Sequence, residues 1–522
     1  MARILSRFRD RIACSTLGVP RGTPGFGPSW LGTVPNVPPR ACRTNHAELS
    51  GCSYDSPDGS SGWEALTVGY NFRPVEREQA FLLPPSLRDW LPEDDLAWLV
   101  LDAVAEMDLG PIYARYRSDG WGAAAFDPAM MTALLLYAYA TGERSSRRIE
   151  GRCHRDIAYR VITANQAPDH ATIARFRVEH EAVLGHLFGE VLRLCAAAGL
   201  TQVGLVAIDG TKLAADASET ANRTAAALDT EIATILAEAA ATDAAEDEQY
   251  GPDRRGDELP VGLATRTSRL ARLAEARRQL AEADAERERI VEAQLARQAA
   301  ATTAGRPAGR LVKPDAAHRQ RWDERNVTDP DSRLMKGGQG WVYGYNGQIA
   351  VAENGLIVAA ALTQAPGDAR ELVPMIEAAR RNLRQVGSRR RIRTVLADKG
   401  YWSEANAAAV EAMAGPRLLI APRGTTERRP GSTWPVGRGL LQMRRRLAQP
   451  GPRALYRRRG AIVEPVFGQT KDVRGVRRFR RRGLAACASE WQLICATHNL
   501  LKLWRHGRRS APPPPPPRPL VH

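Results

Sequence analysis

Two short apolar runs, "LVAI" at 205–208 and "TVLA" at 394–397, each end on an aspartate, Asp209 and Asp398. Runs of this length and aliphatic content read as buried strands. A carboxylate that closes a buried strand is costly to desolvate unless it is paired or binds a cation. The two acids are followed by "DGTK" and "DKGY", and Gly210 and Gly400 are expected to turn the chain sharply and leave each carboxylate uncovered at the sheet edge. Residues 203–218 are thus predicted to form a strand, a turn at Asp209 and Gly210, and a second strand. For Asp398 alone, a cap on the following helix is the other reading.

The rest of the chain supplies a sheet for these strands. Residues 341–364 predict two or three strands, with turns at the Asn346, Gly347 pair and the Asn354, Gly355 pair. Helices are expected over 368–387, 403–414, 460–472 and 489–505, with a short strand in "RLLIAP" between them. This is α/β grammar with a mixed sheet. Upstream, Pro92 and the acids Glu93, Asp94 and Asp95 open a helix whose apolar face is Leu96, Leu99, Val100, Val104 and Met107. A second helix starts at Asp127 and Pro128. Further short helices follow, and "DHATIARFR" at 169–177 looks like part of a helix-turn-helix, with a plain bundle the equal alternative. Residues 219–300, rich in Ala, Glu, Arg and Leu, predict two long helices in an antiparallel hairpin. Leu263, Leu270, Leu273 and Leu280 keep a partial heptad that Arg277 and Asp284 interrupt.

The expected organisation is a disordered or non-native extension over 1–68, with a start at Val68 as the alternative to Met1. A helical DNA-binding domain follows over 69–200, a catalytic domain over 201–218 and 326–505, a helical insertion over 219–325, and a disordered Pro-rich tail over 506–522.

The formal charge is +16, from 74 Lys+Arg against 58 Asp+Glu. Arginines cluster at 389–391, 444–446, 457–459 and 474–482, which points to a polyanionic partner. Seven scattered cysteines form no CxxC pair, which fits a reduced chain rather than a disulfide framework or zinc module. No long apolar stretch predicts a membrane span or secretory signal, so the cytoplasm is the expected location.

A third acid stands in "GAIVEPVFGQTK". Ile462, Val463, Val466 and Phe467 are expected to bury one helix face, while Glu464 and Lys471 share another, two turns apart. With these residues the chain from Phe72 to Trp504 resembles the DDE transposases of bacterial insertion sequences. The resemblance carries the family's three acids onto Asp209, Asp398 and Glu464. It carries the Y-R-E-K signature onto Tyr456, Arg459, Glu464 and Lys471. Four residues separate R from E here where the usual signature has three, so Arg458 is the other candidate. "NVTDPDSRLMK" and "GYNGQIAV" also resemble segments of a transposase group with a long insertion between its first two acids.

The resemblance implies an RNase H-like catalytic domain with an N-terminal all-helical domain and a helical hairpin insertion. It further implies two Mg²⁺ ions, replaceable by Mn²⁺, held roughly 3.5–4 Å apart by Asp209, Asp398 and Glu464. Tyr456, Arg459, Lys471, Arg474, Arg477 and Arg478 are the expected DNA contacts, with Lys212 on a phosphate and Trp402 on an unpaired base as weaker candidates; a surface lysine and a core tryptophan are the other readings. The partners are DNA, as terminal inverted repeats and target, and further copies of the chain in a homodimer or higher oligomer. Two other readings fit the same residues: a catalytically inactive DNA-binding derivative, and an RNase H-like nuclease that cuts without joining.

Overall fold

The computed structural model describes residues 86–116, 124–250, 261–304, 324–337, 340–413, 415–421 and 438–509. The expectations for 1–68, for the loop joining the two long helices and for the proline run of the tail lie outside these residues. Among the described residues no helix is long and apolar enough to cross a membrane.

The helical region opens with α1 (Leu96–Ala105), capped by Asp95, whose carboxylate accepts the Ala97 N–H at 2.8 Å. The cap therefore falls later than Pro92, at the last of three consecutive acids. Asp127 caps α2 (Pro128–Ala140), which is buried almost all round. Then follow α3 (Ser146–Arg155), α4 (Ile157–Ile162), α5 (His170–Glu179) and α6 (Glu181–Ala197), with Asp156 and Asp169 capping α4 and α5. Side-chain caps recur here because each satisfies an amide that the helix start leaves without a partner.

The sheet begins with β1 (Leu205–Ala214), followed by β2 (Arg333–Gly337), the long β3 (Gly340–Ala352), β4 (Ile357–Thr363), β5 (Thr394–Ala397) and β6 (Arg417–Ile420). Its order is β2-β3-β1-β5-β6, and β4 also pairs with β3. β1 runs antiparallel to β3 and parallel to β5, and β5 runs parallel to β6, so the sheet is mixed, as expected.

Two expected turns are absent, for one reason. Residues Asp209 and Gly210 lie inside β1, and Asn346 and Gly347 lie inside β3, where Asp209 pairs with Ile349 and Thr211 with Gly347. These glycines serve close approach rather than reversal. A Cβ at Gly210 would stand 2.3 Å from Gln348 Nε2, and one at Gly347 would stand 3.0 Å from the Trp491 ring. The other expected turn forms: Gly355 has φ +79°, in the left-handed region.

The long helices α7 (Ala225–Tyr250) and α8 (Val261–Thr303) lie in the stretch where two long helices were expected, and they pack against each other. Leu228, Leu273, Ala276 and Leu280 form a small core at its base. There Asn222–Thr224 pairs antiparallel with Glu324–Asn326. Asp331 ties this base to the start of the last helix, accepting from Gln279 Nε2 at 2.8 Å and from the Leu484 N–H at 2.8 Å.

After α9 (Leu372–Gln385) and α10 (Glu404–Ala412) come α11 (Arg438–Ala448), α12 (Pro450–Gly468) and α13 (Leu484–Arg509). Sequence periodicity missed α11 and placed the start of α12 too late. The last helix runs to Arg509, into what was expected to be tail. It packs against α2, α6 and β4, and its polar residues Thr497, His498 and Asn499 are buried with its apolar ones. Asn499 explains how: its side chain accepts the Ile357 N–H at 2.9 Å and donates to the Ile357 carbonyl at 2.8 Å, completing the free edge of β4. One continuous core joins the helical region to the sheet.

Glycine positions test this packing. A Cβ at Gly344 would stand 2.0 Å from the Leu213 carbonyl oxygen, so Gly344→Ala is expected to destabilise the chain by about 3 kcal/mol. Gly151, inside α3, has nothing within 4 Å of its would-be Cβ, so Gly151→Ala is expected to stabilise by about 0.5–1 kcal/mol. Denaturant unfolding of both variants checks the pair of signs.

Candidate active site

Parallel pairing of β1 with β5 sets the register. Ile208 lies opposite Ala397, so the next residue of each strand is an aspartate. Neighbouring strands are about 4.8 Å apart, which puts Asp209 and Asp398 side by side. Helix α12 packs over the same strands, burying Ile462, Val463 and Val466 against β1, β5 and β6. From it Arg459 reaches down between the acids. Its Nη1 donates to Asp209 Oδ2 at 2.8 Å, and its Nη2 is 3.9 Å from Asp398 Oδ1.

Burial pushes the Asp209 carboxyl above its ordinary range. The Gly210 N–H, at 2.8 Å from Asp209 Oδ1, and the Arg459 charge pull it back, while Asp398 pushes it further up. Tyr456, three residues before Arg459, is half-buried beside it, and its phenol is also pushed up, first by burial. Arg458 points elsewhere and pairs with Glu353 at 3.2 Å.

Glu464 is exposed on α12, and its carboxylate folds back over Gly460, where a Cβ would stand 2.7 Å from Oε1. Among the described residues no three His, Cys, Asp or Glu side chains form a metal-binding group. The structure therefore brings Asp209 and Asp398 together and leaves Glu464 outside that pair. The two aspartates and the guanidinium charge between them are the part of the site that fits a cation.

Lys471 does not share a face with Glu464 as expected. A π-helical turn, Gln469–Val473, follows α12 and changes the winding, so Lys471 turns inward and donates to the Lys212 carbonyl at 3.2 Å. Burial holds its amine below the ordinary range. Arg474, expected to touch DNA, is buried: it donates to the Ile494 carbonyl at 3.1 Å and to the hydroxyls of Thr497 and Thr470 at 2.8 and 3.0 Å. It braces α13, and burial lowers its pKa to about 10. Arg477 and Arg478 are exposed, the former paired with Asp472 at 2.5 Å. Trp402 is partly buried against the core.

Lys212 belongs to a network that the sequence did not reveal. On the face of β1 opposite Asp209, Asp368 Oδ1 accepts from Lys212 Nζ at 3.0 Å, Asn346 Nδ2 at 2.7 Å and Gln348 Nε2 at 3.0 Å. Gln348 in turn accepts from the Tyr401 hydroxyl. The absent Cβ of Gly210 leaves room for this cluster. The only sequence signal was a set of polar side chains inside otherwise apolar strands.

Two family models match the chain. One described as a transposase DDE domain matches residues 313–500, which hold Asp398 and Glu464, and one described as a transposase domain (DUF772) matches residues 85–179. Asp209 lies outside both matches. No curated protein and no solved structure matches the chain.

The raised Asp209 carboxyl means that the folded chain binds more protons than the unfolded one between the ordinary and raised pKa values. Stability from this group therefore falls as pH rises through that window. Arg459→Met removes a charge that lowers the folded pKa, so it widens the window upward. The variant is expected to lose about 1–3 kcal/mol at pH 7 and less near pH 4, because protonation of Asp209 removes the charge that Arg459 balances. Thermal melts at both pH values check this, and an equal deficit at both would contradict it.

Proposed function

The chain belongs to the DDE-type transposases of insertion sequences, and on that premise we propose that it cleaves DNA at the ends of its element and transfers the freed strands to target DNA. Asp209, Asp398 and Glu464 are the proposed catalytic and metal-holding acids. The observation that carries this is the guanidinium of Arg459 lodged between Asp209 and Asp398, since it marks where these carboxylates need positive charge. The strand order and directions support an RNase H-like reading of the catalytic domain, 201–218 with 326–505. In the same reading the helices of 69–200 are a DNA-binding domain, and 219–325 is an insertion.

Hard oxygen ligands suit Mg²⁺, and two such ions would activate water and stabilise the departing oxygen of a phosphodiester. Asp209 and Asp398 would hold them, with Glu464 reaching in from α12 past Gly460. The chain's own residues do the rest by position. Arg459, once its carboxylates are neutralised from another source, is free to hold the phosphate beside the cut. Lys471, which donates to the Lys212 carbonyl, is a proposed second phosphate contact, and Tyr456 flanks Arg459. Arg477 and Arg478 extend the cationic surface beyond them. No serine, tyrosine or cysteine nucleophile is needed, because water cuts first and the released 3′-hydroxyl attacks next.

The test is incubation of the full chain with Mg²⁺ and duplex DNA carrying the element's own ends. Asp209→Asn, Asp398→Asn and Glu464→Gln are each expected to reduce cleavage roughly a thousandfold or more, with little further loss in combination, as for groups that act as one unit. Cleavage that survives Glu464→Gln would remove that residue from the site. Products that are cut but never joined would favour a nuclease.

A further inference from the structure

A second cationic site lies away from the acids. The segment after the π-helical turn is clamped on two sides. On one side the Ala214 N–H donates to the Arg477 carbonyl at 3.1 Å, and the Phe479 N–H donates to the Ala214 carbonyl at 2.8 Å. On the other, Arg144 donates to the Arg478 carbonyl and to Glu490, both at 2.9 Å, and Glu490 accepts the Arg480 and Arg481 N–H groups at 2.9 and 3.2 Å. Between this segment and the first turns of α3 and α5 is a cavity of about 650 Å³. Arg147, Arg177, His170, Arg480, Arg481 and Arg482 line it, and Asp216 is the one acidic residue among its lining.

The charges in this cavity are not balanced. Arg144 is matched by Glu490, Arg481 by Glu181 and Arg482 by Asp216. Arg177 is buried yet has no ion-pair partner among the described residues; it donates to the Arg144 carbonyl at 2.9 Å, the Tyr139 hydroxyl at 3.3 Å and the Ser146 hydroxyl. Arg147 and Arg480 are exposed and likewise have no carboxylate partner among the described residues. A buried guanidinium without a counter-charge is expensive, and an anion completing the cavity would relieve it. The lining contains no Phe, Tyr or Trp, so it lacks the stacking platform that single-stranded nucleic acid uses.

Position relative to the acids narrows the partner further. β1 carries Asp209 to Ala214, and Asp216 follows at the cavity. At about 3.3 Å per residue the separation is about 20 Å. Along a duplex, with an axial rise of about 3.4 Å per base pair, that is roughly six base pairs. We propose that the cleft between α3, α5 and residues 480–482 grips the sugar-phosphate backbone of duplex DNA about six base pairs from the phosphodiester at Asp209 and Asp398. The six-base-pair figure rests on the catalytic reading above, whereas the duplex contact does not.

Fluorescence anisotropy of the full chain with a labelled 30-base-pair duplex, titrated at several salt concentrations, tests the contact. Each lost phosphate contact lowers the slope of log affinity against log salt by about 0.9. Arg147→Ala with Arg480→Ala is expected to lower it by nearly two and to weaken binding roughly tenfold, with an unchanged melting temperature because both side chains are exposed. The control is Arg389→Ala with Arg391→Ala, which removes the same charge at the opposite end of β5 and should leave the slope unchanged. Equal loss from both pairs, no loss from the first, or equal loss of binding to a 30-nucleotide single strand would each overturn the proposal. Binding is measured without cleavage, so a chain that grips DNA here but never cuts would refute the catalytic reading alone. A chain that cuts while the first pair binds normally would refute the cleft alone.

Discussion

Two carboxylates placed next to each other, Asp209 within β1 and Asp398 just after β5, repel, and burial makes Asp209 more costly to ionise. Arg459 resolves this within the chain. It does so because α12 lies across β1, β5 and β6 with Ile462, Val463 and Val466 buried beneath it, which fixes the depth at which the guanidinium sits. The turn after α12 is tied to the long α13 by Arg474, which bonds Thr470 on one side and Ile494 and Thr497 on the other. The acids, their counter-charge and the fold around them therefore form one arrangement.

The face of the sheet behind Asp209 carries a polar cluster. Asp368, Lys212, Asn346, Gln348 and Tyr401 are linked by hydrogen bonds behind Asp209, so the strand that carries the first acid is stiffened from its far face. A buried network of this kind is stabilising only when its members are paired, and here one carboxylate oxygen accepts three donors. The glycine at 210 is what allows it. Where hairpin chemistry would assign that glycine to a turn, the packed sheet uses its missing side chain instead.

The same logic separates the arginines. Composition alone treats them as one basic surface. In the folded chain Arg474 is a core brace, Arg459 a counter-ion, and Arg144 a clamp on the backbone of 478, while Arg147 and Arg480 keep their charge free of any carboxylate among the described residues. Which cation meets solvent is decided by helix phase and by the π-helical turn, neither of which a charge count contains.

Local sequence determined the strands that lead into Asp209 and Asp398, the two long helices of 225–303 and the helix of Glu464, because each depends on residues near one another in the chain. The turn at Gly355 was equally legible, since nothing distant competes for that glycine's conformation. Tertiary structure decided the rest. Pairing between β1 and β5 made neighbours of two distant acids, Trp491 turned an apparent hairpin at Gly347 into continuous strand, and Asp368 captured Lys212. Each of these outcomes depends on what packs against a residue across the fold, and backbone propensity carries no record of that.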